Sequence, residues 1–228
     1  MTKTDAFERH YTQYDAWFDD NENIYKSELL AVKSVLPLGG RRIEIGVGSG
    51  RFASRLGIDE GVEPAAGIAT LACKRGISVK QGVAEALPLP DNTYDAALLV
   101  TTLCFVDDVG ETFTEVFRVL KPGGCVVLAF IPADSPFGRL YERTKDGDEF
   151  FRVATFYSKR EIFEALEMAG FAIDRTVQTL TGPPETANED VEAPSPGHDR
   201  GSFIVVLAVK SRISERDQAC GPNKQGST

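Results

Sequence analysis

The sequence predicts an α/β protein, a doubly wound and mostly parallel sheet of seven strands with helices on both faces. Three observations carry this reading. Strand-like and helix-like segments alternate from residue 42 to residue 131, and such alternation calls for parallel strands joined by right-handed crossovers. The run Tyr94 to Val100 is almost continuously apolar, as suits a central strand buried on both faces. The stretch Arg42-Ile43-Glu44-Ile45-Gly46-Val47-Gly48-Ser49-Gly50-Arg51-Phe52 reads as a short buried strand that breaks into a glycine turn and opens a helix. Alternating glycines permit positive φ and let a ligand approach without meeting a Cβ. The turn would also aim the first amides of the next helix at that ligand.

Length and charge set the bounds. At 228 residues the chain has room for one sizeable core with appendages. These divide into an N-terminal helical cap over 1–40, a main domain over 41–210 that carries a flexible flap at 181–201, and a disordered tail at 211–228. A net charge of −9 and a pI near 4.9 argue against nucleic acid or an anionic membrane surface, since both need a Lys/Arg face. No apolar run reaches the roughly 20 residues of a spanning helix, and Met1-Thr2-Lys3-Thr4-Asp5 lacks a signal-peptide core. The expected compartment is the cytoplasm. Cys73, Cys104, Cys125 and Cys220 show neither C-x-x-C spacing nor a His partner pattern, so reduced thiols and no metal are expected.

In chain order, Phe7, Tyr11, Tyr14, Trp17 and Phe18, then Ile24, Leu29, Leu30, Val32 and Leu36, follow helical spacing. Asp19-Asp20-Asn21-Glu22-Asn23 interrupts them, which gives two helices. The aromatic stripe suits a face packed on the body, and equally a lid over the mouth of a site. The first strand is Arg42 to Ile45, and a helix runs from Ser49 to Leu56. A second strand ends at Glu63, and a helix from Ala65 to Arg75 is stopped by Gly76. Ile77 to Gln81 is the third strand, followed by the loop Gly82-Val83-Ala84-Glu85-Ala86-Leu87-Pro88. Tyr94 to Val100 is the fourth. A helix containing Val109 to Leu120 is stopped by Lys121-Pro122-Gly123-Gly124, and Cys125 to Ile131 is the fifth. Residues 132–153 are polar and punctuated. Ser158 and Glu161 form a capping box for a helix to Met168. Phe171 to Leu180 and Phe203 to Lys210 complete the strands.

Glu63 is the companion of the glycine turn. In a doubly wound sheet an acid ending the second strand faces a ribose bound across the turn. The same carboxylate is also placed to cap the helix beginning near Ala65.

Taken in order, Glu44 to Gly50, Glu63, Ala84-Glu85-Ala86-Leu87-Pro88, Tyr94-Asp95 and Leu120-Lys121-Pro122-Gly123-Gly124 resemble the class I S-adenosylmethionine-dependent methyltransferases. Among these the small-molecule branch with the ubiquinone and menaquinone C-methyltransferases is nearest. The resemblance covers about residues 41 to 180, and 203–210 fits the family's reversed, antiparallel last strand. It implies S-adenosylmethionine as cofactor and a small-molecule methyl acceptor as partner. It places the methionine part on the turn of Glu44, Gly46, Gly48 and Gly50, the ribose hydroxyls on Glu63, and the adenine edge at Ala84 and Glu85. Thr101 to Phe105 would lie beneath the sulfonium, with Tyr11, Tyr14 and Trp17 closing over it. The chain departs from the family at Val83, where an Asp often bonds the adenine amino group.

The implied chemistry is in-line methyl transfer to N, O, S or C, in which alignment matters most. A base is needed only for a protonated nucleophile. His10 is a candidate base near the mouth, and Tyr14 and Cys104 would lie close to the reacting methyl. His198 falls in the flap. A nicotinamide dehydrogenase is a rival, but its Gly-x-Gly-x-x-Gly needs glycine where the chain has Arg51. A cofactor-binding scaffold without catalysis is the rival of another class.

Overall fold

The computed structural model describes residues 3–211. The chain begins with α1 (Asp5–Arg9), α2 (Tyr11–Asp20) and α3 (Glu22–Val35), then enters the sheet at β1 (Arg42–Ile45). After it come α4 (Arg51–Leu56), β2 (Glu60–Glu63), α5 (Ala66–Lys74), β3 (Ser78–Gln81), β4 (Tyr94–Val100) and α6 (Val109–Val119). The remainder comprises β5 (Leu120–Phe130), α7 (Pro136–Thr144), α8 (Lys159–Met168), β6 (Phe171–Thr179), β7 (Ser195–Pro196) and β8 (Phe203–Lys210). The strand order is β3-β2-β1-β4-β5-β8-β6-β7. The five strands from β1 to β5 pair in parallel, whereas β8 runs antiparallel to both β5 and β6.

Side-chain alternation divides the core between the two faces of this sheet. Ala97, Leu99, Val126, Leu128, Ile204 and Val206 pack with Phe113 and Val116 of α6 and Ile162 and Leu166 of α8. Their neighbours Leu98, Val100, Val127, Ala129, Phe203 and Val205 pack with Val32 and Val35 of α3 and Phe52 and Ala53 of α4. Period-two strands buried on both faces demand this arrangement. No helix among the described residues is long and apolar enough to cross a membrane.

Four elements differ from the expectation. The N-terminal stripe makes three helices rather than two, because the backbone leaves helical geometry at His10 as well as at Asn21. No Gly or Pro marks the first break. Its cause is tertiary: α1 lies against α5, where Gly67 leaves room for the Glu8 carbonyl and donates its own amide to Glu8 Oε2 at 2.9 Å. Strand β5 begins at Leu120, which pairs with Tyr94 before a register shift, so Lys121-Pro122-Gly123-Gly124 is a bulge inside the strand. The polar segment 132–153 contains α7, capped by Ser135 Oγ accepting from the Gly138 amide at 3.0 Å.

The sheet has eight strands rather than seven. The extra one, β7, comes from the segment expected as a free flap. That segment is tied to the body: Ser195 and Pro196 pair with β6, Asn188 Oδ1 accepts from the Asn23 amide at 3.0 Å, and the Glu192 amide donates to Ser27 Oγ at 2.8 Å. The expected tail, from residue 212 onward, lies outside the described residues. The capping box forms as read, with Ser158 and Glu161 exchanging hydrogen bonds.

An ion cluster fixes α2 on the sheet. Asp15 accepts from Arg51 Nε at 2.9 Å and Nη2 at 2.8 Å and from Arg75 Nη2 at 2.7 Å. Arg75 Nη1 also donates to the Ser49 carbonyl at 2.7 Å, and Arg51 Nη1 reaches Asp19 at 2.7 Å. Partial burial alone would raise the Asp15 pKa, but the hydrogen bonds from Arg51 and Arg75 outweigh it and hold the carboxyl well below the usual range. Asp15→Asn is expected to cost about 2 kcal/mol, because it leaves two half-buried guanidinium groups underpaired. That corresponds to a fall of roughly 4–8 °C in Tm by calorimetry. A carboxyl with a depressed folded pKa stabilises above its unfolded value, so the difference between wild type and variant should hold at neutral pH and shrink as pH falls below about 4.

Candidate active site

The carboxyl ends of β1, β2 and β4 meet beneath the N-terminal helices, and two cavities open there. The first, of about 530 Å³, is bounded by the glycine turn, Glu63, the 82–85 loop and Thr101. The second, of about 540 Å³, lies under α2 and α3 and is closed by α7 and residues 147–157. Tyr14, Thr101 and Phe105 line both and form the wall between them.

The glycine turn satisfies itself. The amides of Gly46 and Val47 donate to the Val62 carbonyl at 2.8 and 3.0 Å, and that of Gly50 to the Val47 carbonyl at 2.8 Å. Gly48 N donates to Glu63 Oε2 at 2.9 Å. The amides of Gly46, Val47, Gly48 and Gly50 are therefore spent within the protein. What the turn provides is close approach: Gly46 has φ +70°, and a Cβ there would sit 2.4 Å from Thr102 Cγ2. Gly50 does not line the cavity; it caps α4 and packs on Ala72.

Glu63 caps the start of α5, one of the two roles read from the sequence, and lines the cavity at which the other was expected. Its Oε1 accepts from the Ala65 amide at 3.0 Å, while Oε2 holds Gly48 and the side chain faces the cavity. Burial raises its pKa, the two amide bonds oppose that, and the charge of Glu8 adds to it. A carboxylate has about four acceptor sites, so two remain for the hydroxyls of a ribose.

Of the residues expected to hold cofactor, Gly46, Gly48, Glu63, Ala84, Glu85, Thr101 and Tyr14 come together around the first cavity. Glu85 also accepts from the Asp107 amide and so closes the loop at that end. Glu44 does not join them. It is buried with Oε2 unpartnered, and its pKa is pushed up to about 8 by burial first and by Glu63 in addition, against the Ala53 amide bond. It braces α4 from below, because alternation along β1 points it away from the turn's open side. Trp17 lines the second cavity only, and Tyr11 lines neither.

None of the three candidate acid-base groups is set up as a base. His10 lies outside both cavities, with Nε2 3.3 Å from Glu149 Oε1. Burial pushes the Cys104 thiol up to about 12, and its Sγ donates to the Thr101 carbonyl at 3.1 Å. Tyr14 is held as a neutral phenol by burial first and then by the charges of Cys104, Glu28 and Glu63, with the Thr101 hydroxyl acting the other way. His198 sits on the sheet edge beside Thr176, 3.2 Å away.

Sequence reasoning missed Glu28. It is only 5% exposed and lines the second cavity. The signal was available, because Glu28 falls on the apolar face of α3 that carries Ile24, Ala31, Val32 and Val35.

A doubly wound sheet with this turn, a carboxylate ending its second strand and a reversed strand β8 fits an α/β fold that binds a nucleoside cofactor across the turn. The methyltransferase-domain family model matches residues 43–128. An S-adenosylmethionine-dependent methyltransferase of Thermotoga maritima, described as a possible histamine N-methyltransferase, is 42% identical, with 90% of this chain and 98% of that one covered and a TM-score of 0.86. An uncharacterized protein of Methanocaldococcus jannaschii is 38% identical over 205 residues, 90% of this chain and 98% of that protein. A ubiquinone/menaquinone biosynthesis C-methyltransferase of Pasteurella multocida is 42% identical over 67 residues, 28% of this chain and 25% of its own. The chain belongs to the S-adenosylmethionine-dependent methyltransferases, and S-adenosylmethionine is its cofactor.

Glu63→Ala should weaken cofactor binding at least about tenfold in isothermal titration, the scale of one or two lost charge-assisted hydrogen bonds. The far-ultraviolet spectrum should stay unchanged. An unaltered affinity would leave Glu63 as a cap alone.

Proposed function

We propose that this protein transfers the methyl group of S-adenosylmethionine to a small molecule held in the 540 Å³ cavity. The observation that carries the proposal is the shared wall: a cavity fit for the cofactor and a second, aromatic one meet at Tyr14, Thr101 and Phe105. Glu63 takes the ribose hydroxyls on its free lone pairs, and the bare edges of Gly46 and Gly48 carry the methionine arm. Ala84 and Glu85 frame the adenine. Since Val83 offers that base no acceptor, the carboxylates available at that end are Glu85 and Asp107.

Bound S-adenosylmethionine supplies an already activated methyl group, so the protein's task is alignment. Effective alignment is worth on the order of 7–11 kcal/mol in favourable cases. Tyr14 is placed to present its ring to the sulfonium, a cation–π contact that a neutral product no longer satisfies. Nothing in the wall needs to take a proton during transfer, in keeping with a neutral Tyr14 and Cys104, and a proton released by the nucleophile leaves to solvent. Residues 1–40 act as the cap that closes both cavities over the 41–210 body. The acid surface fits a small neutral or cationic acceptor rather than nucleic acid, and a cytoplasmic setting suits the cofactor and the free thiols.

Thermal unfolding with S-adenosylhomocysteine, S-adenosylmethionine or NADH tests cofactor use. Ligand at a hundred times its Kd adds about 2.7 kcal/mol, or roughly 5–10 °C at this size. The first two should produce that shift and NADH none. Turnover against amines, phenols, thiols and quinone precursors then separates an enzyme from a scaffold, since cofactor binding with no methylated product would favour the scaffold. Tyr14→Leu should weaken S-adenosylmethionine about fivefold more than S-adenosylhomocysteine, the worth of about 1 kcal/mol of cation–π contact. Equal losses for both would remove that role.

A further inference from the structure

The second cavity has an unusual charge content. Nearly half of its lining is aromatic, and the charged residues there are Asp20, Glu28, Asp148 and Glu149, with no Lys, Arg or His among the described lining residues. Three of the four acids are engaged or open to water: Asp20 is exposed, Asp148 Oδ1 accepts from the Phe150 and Phe151 amides at 2.8 Å, and Glu149 pairs with His10 and Arg152. Glu28 is different. It is 5% exposed, has no hydrogen-bond or ion partner among the described residues, and its pKa is raised to about 8 by burial alone. It shares the cavity lining with Tyr14 of α2 and Tyr141 of α7, and its charge is felt by both rings.

A carboxyl buried without a partner is costly, and protein interiors rarely keep one unless something arrives to satisfy it. Aromatic walls and a lone buried acid are complementary to an organic cation: the rings attract positive charge through their faces, and the carboxylate ends the approach with a charge-assisted hydrogen bond. We infer that Glu28 is the specificity-determining residue of the acceptor cavity and that it selects a small basic amine, binding its protonated nitrogen between the rings of Tyr14 and Tyr141. This rests on the reading of that cavity as the acceptor site.

A pH signature follows. Below pH 8 the empty carboxyl holds a proton, and an incoming ammonium displaces it. Amine affinity therefore rises as pH climbs toward 8 and falls again once the free amine loses its own charge. Of the other titratable groups facing Glu28, Tyr14, Tyr141 and Cys104 stay neutral through this range, while Asp20 is exposed to solvent, Asp148 accepts from backbone amides and Glu149 pairs with His10 and Arg152.

The test is titration calorimetry on the full chain, with and without S-adenosylhomocysteine. Its probes are 2-phenylethylamine, benzylamine and tyramine, with the matched alcohols and phenylacetate beside them. The amines should bind and the neutral and anionic analogues should not. Glu28→Gln should weaken amine binding by at least about 30-fold, the scale of losing one partner of a desolvated charge pair, and leave S-adenosylhomocysteine affinity as it was. In wild type at pH 7, repeated in two buffers of different ionisation heat, amine binding should release protons, as displacement of a proton from a carboxyl with a raised pKa requires. That readout needs no variant to fold. Equal binding of amines and alcohols, no amine binding, or no proton release would overturn the inference. Failure of S-adenosylhomocysteine to bind while the amine results hold would instead strike the proposed function.

Discussion

Asp15, held between Arg51 and Arg75, is the contact on which the two cavities depend. Arg51 is the residue immediately after the glycine turn, and Arg75 follows the end of α5, so one carboxylate locks α2 onto two separate βα units. The aromatic side of α2 then has no choice of direction. Tyr14 faces the wall between the cavities, and Trp17 and Phe18 face the second one. Without the clamp, α2 would be a ten-residue helix of modest length, well short of what holds its shape alone in water. The same arginine that rules out a dinucleotide fingerprint at position 51 is therefore a structural part of the site.

Electrostatics runs in one direction around this clamp. Glu63, Glu44 and Glu28 are all buried, all have raised pKa values, and none forms an ion pair among the described residues. Two of them border the space where a sulfonium and its acceptor would meet. A region of this kind favours positive charge over neutral species. A cation entering beside them would lower those pKa values again and draw the carboxyls into their charged form.

The parts that could be read from sequence are those governed by local periodicity. Strands β4 and β8 are legible because burial on both faces forces nearly unbroken apolar runs, β1 because it leads into the glycine turn, and Glu63 because the second strand must end opposite that turn. The breaks are less visible. His10 ends α1 only because Glu8 meets Gly67, a contact 59 residues away in sequence. Segment 181–201 looks like a loose loop by composition, yet Asn188 and Glu192 find partners on α3. Glu28 was hidden for the opposite reason: an acid on an apolar helix face looks like a minor flaw in the pattern until the cavity beside it is seen.

The division of labour between the cavities explains why cofactor and acceptor are not equally legible. The cofactor cavity is built from strand ends and backbone, where the turn must fold as it does for the sheet to close. The second cavity, proposed for the acceptor, is built by side chains from α2, α3, α7 and 147–157, which can change without disturbing a ladder hydrogen bond. Thr101 joins the two. It is a β-branched residue at φ +49°, a conformation that costs on the order of 1–3 kcal/mol and persists only where the surroundings impose it. Its amide is fixed to the Ala129 carbonyl at 2.8 Å, and Tyr14 stands over its side chain. Glycine would relieve the strain but would remove the side chain that lines both cavities. The retained strain therefore coincides with the wall between the cavities, and on the proposed function methyl transfer would depend on what that wall aligns rather than on any single reactive side chain.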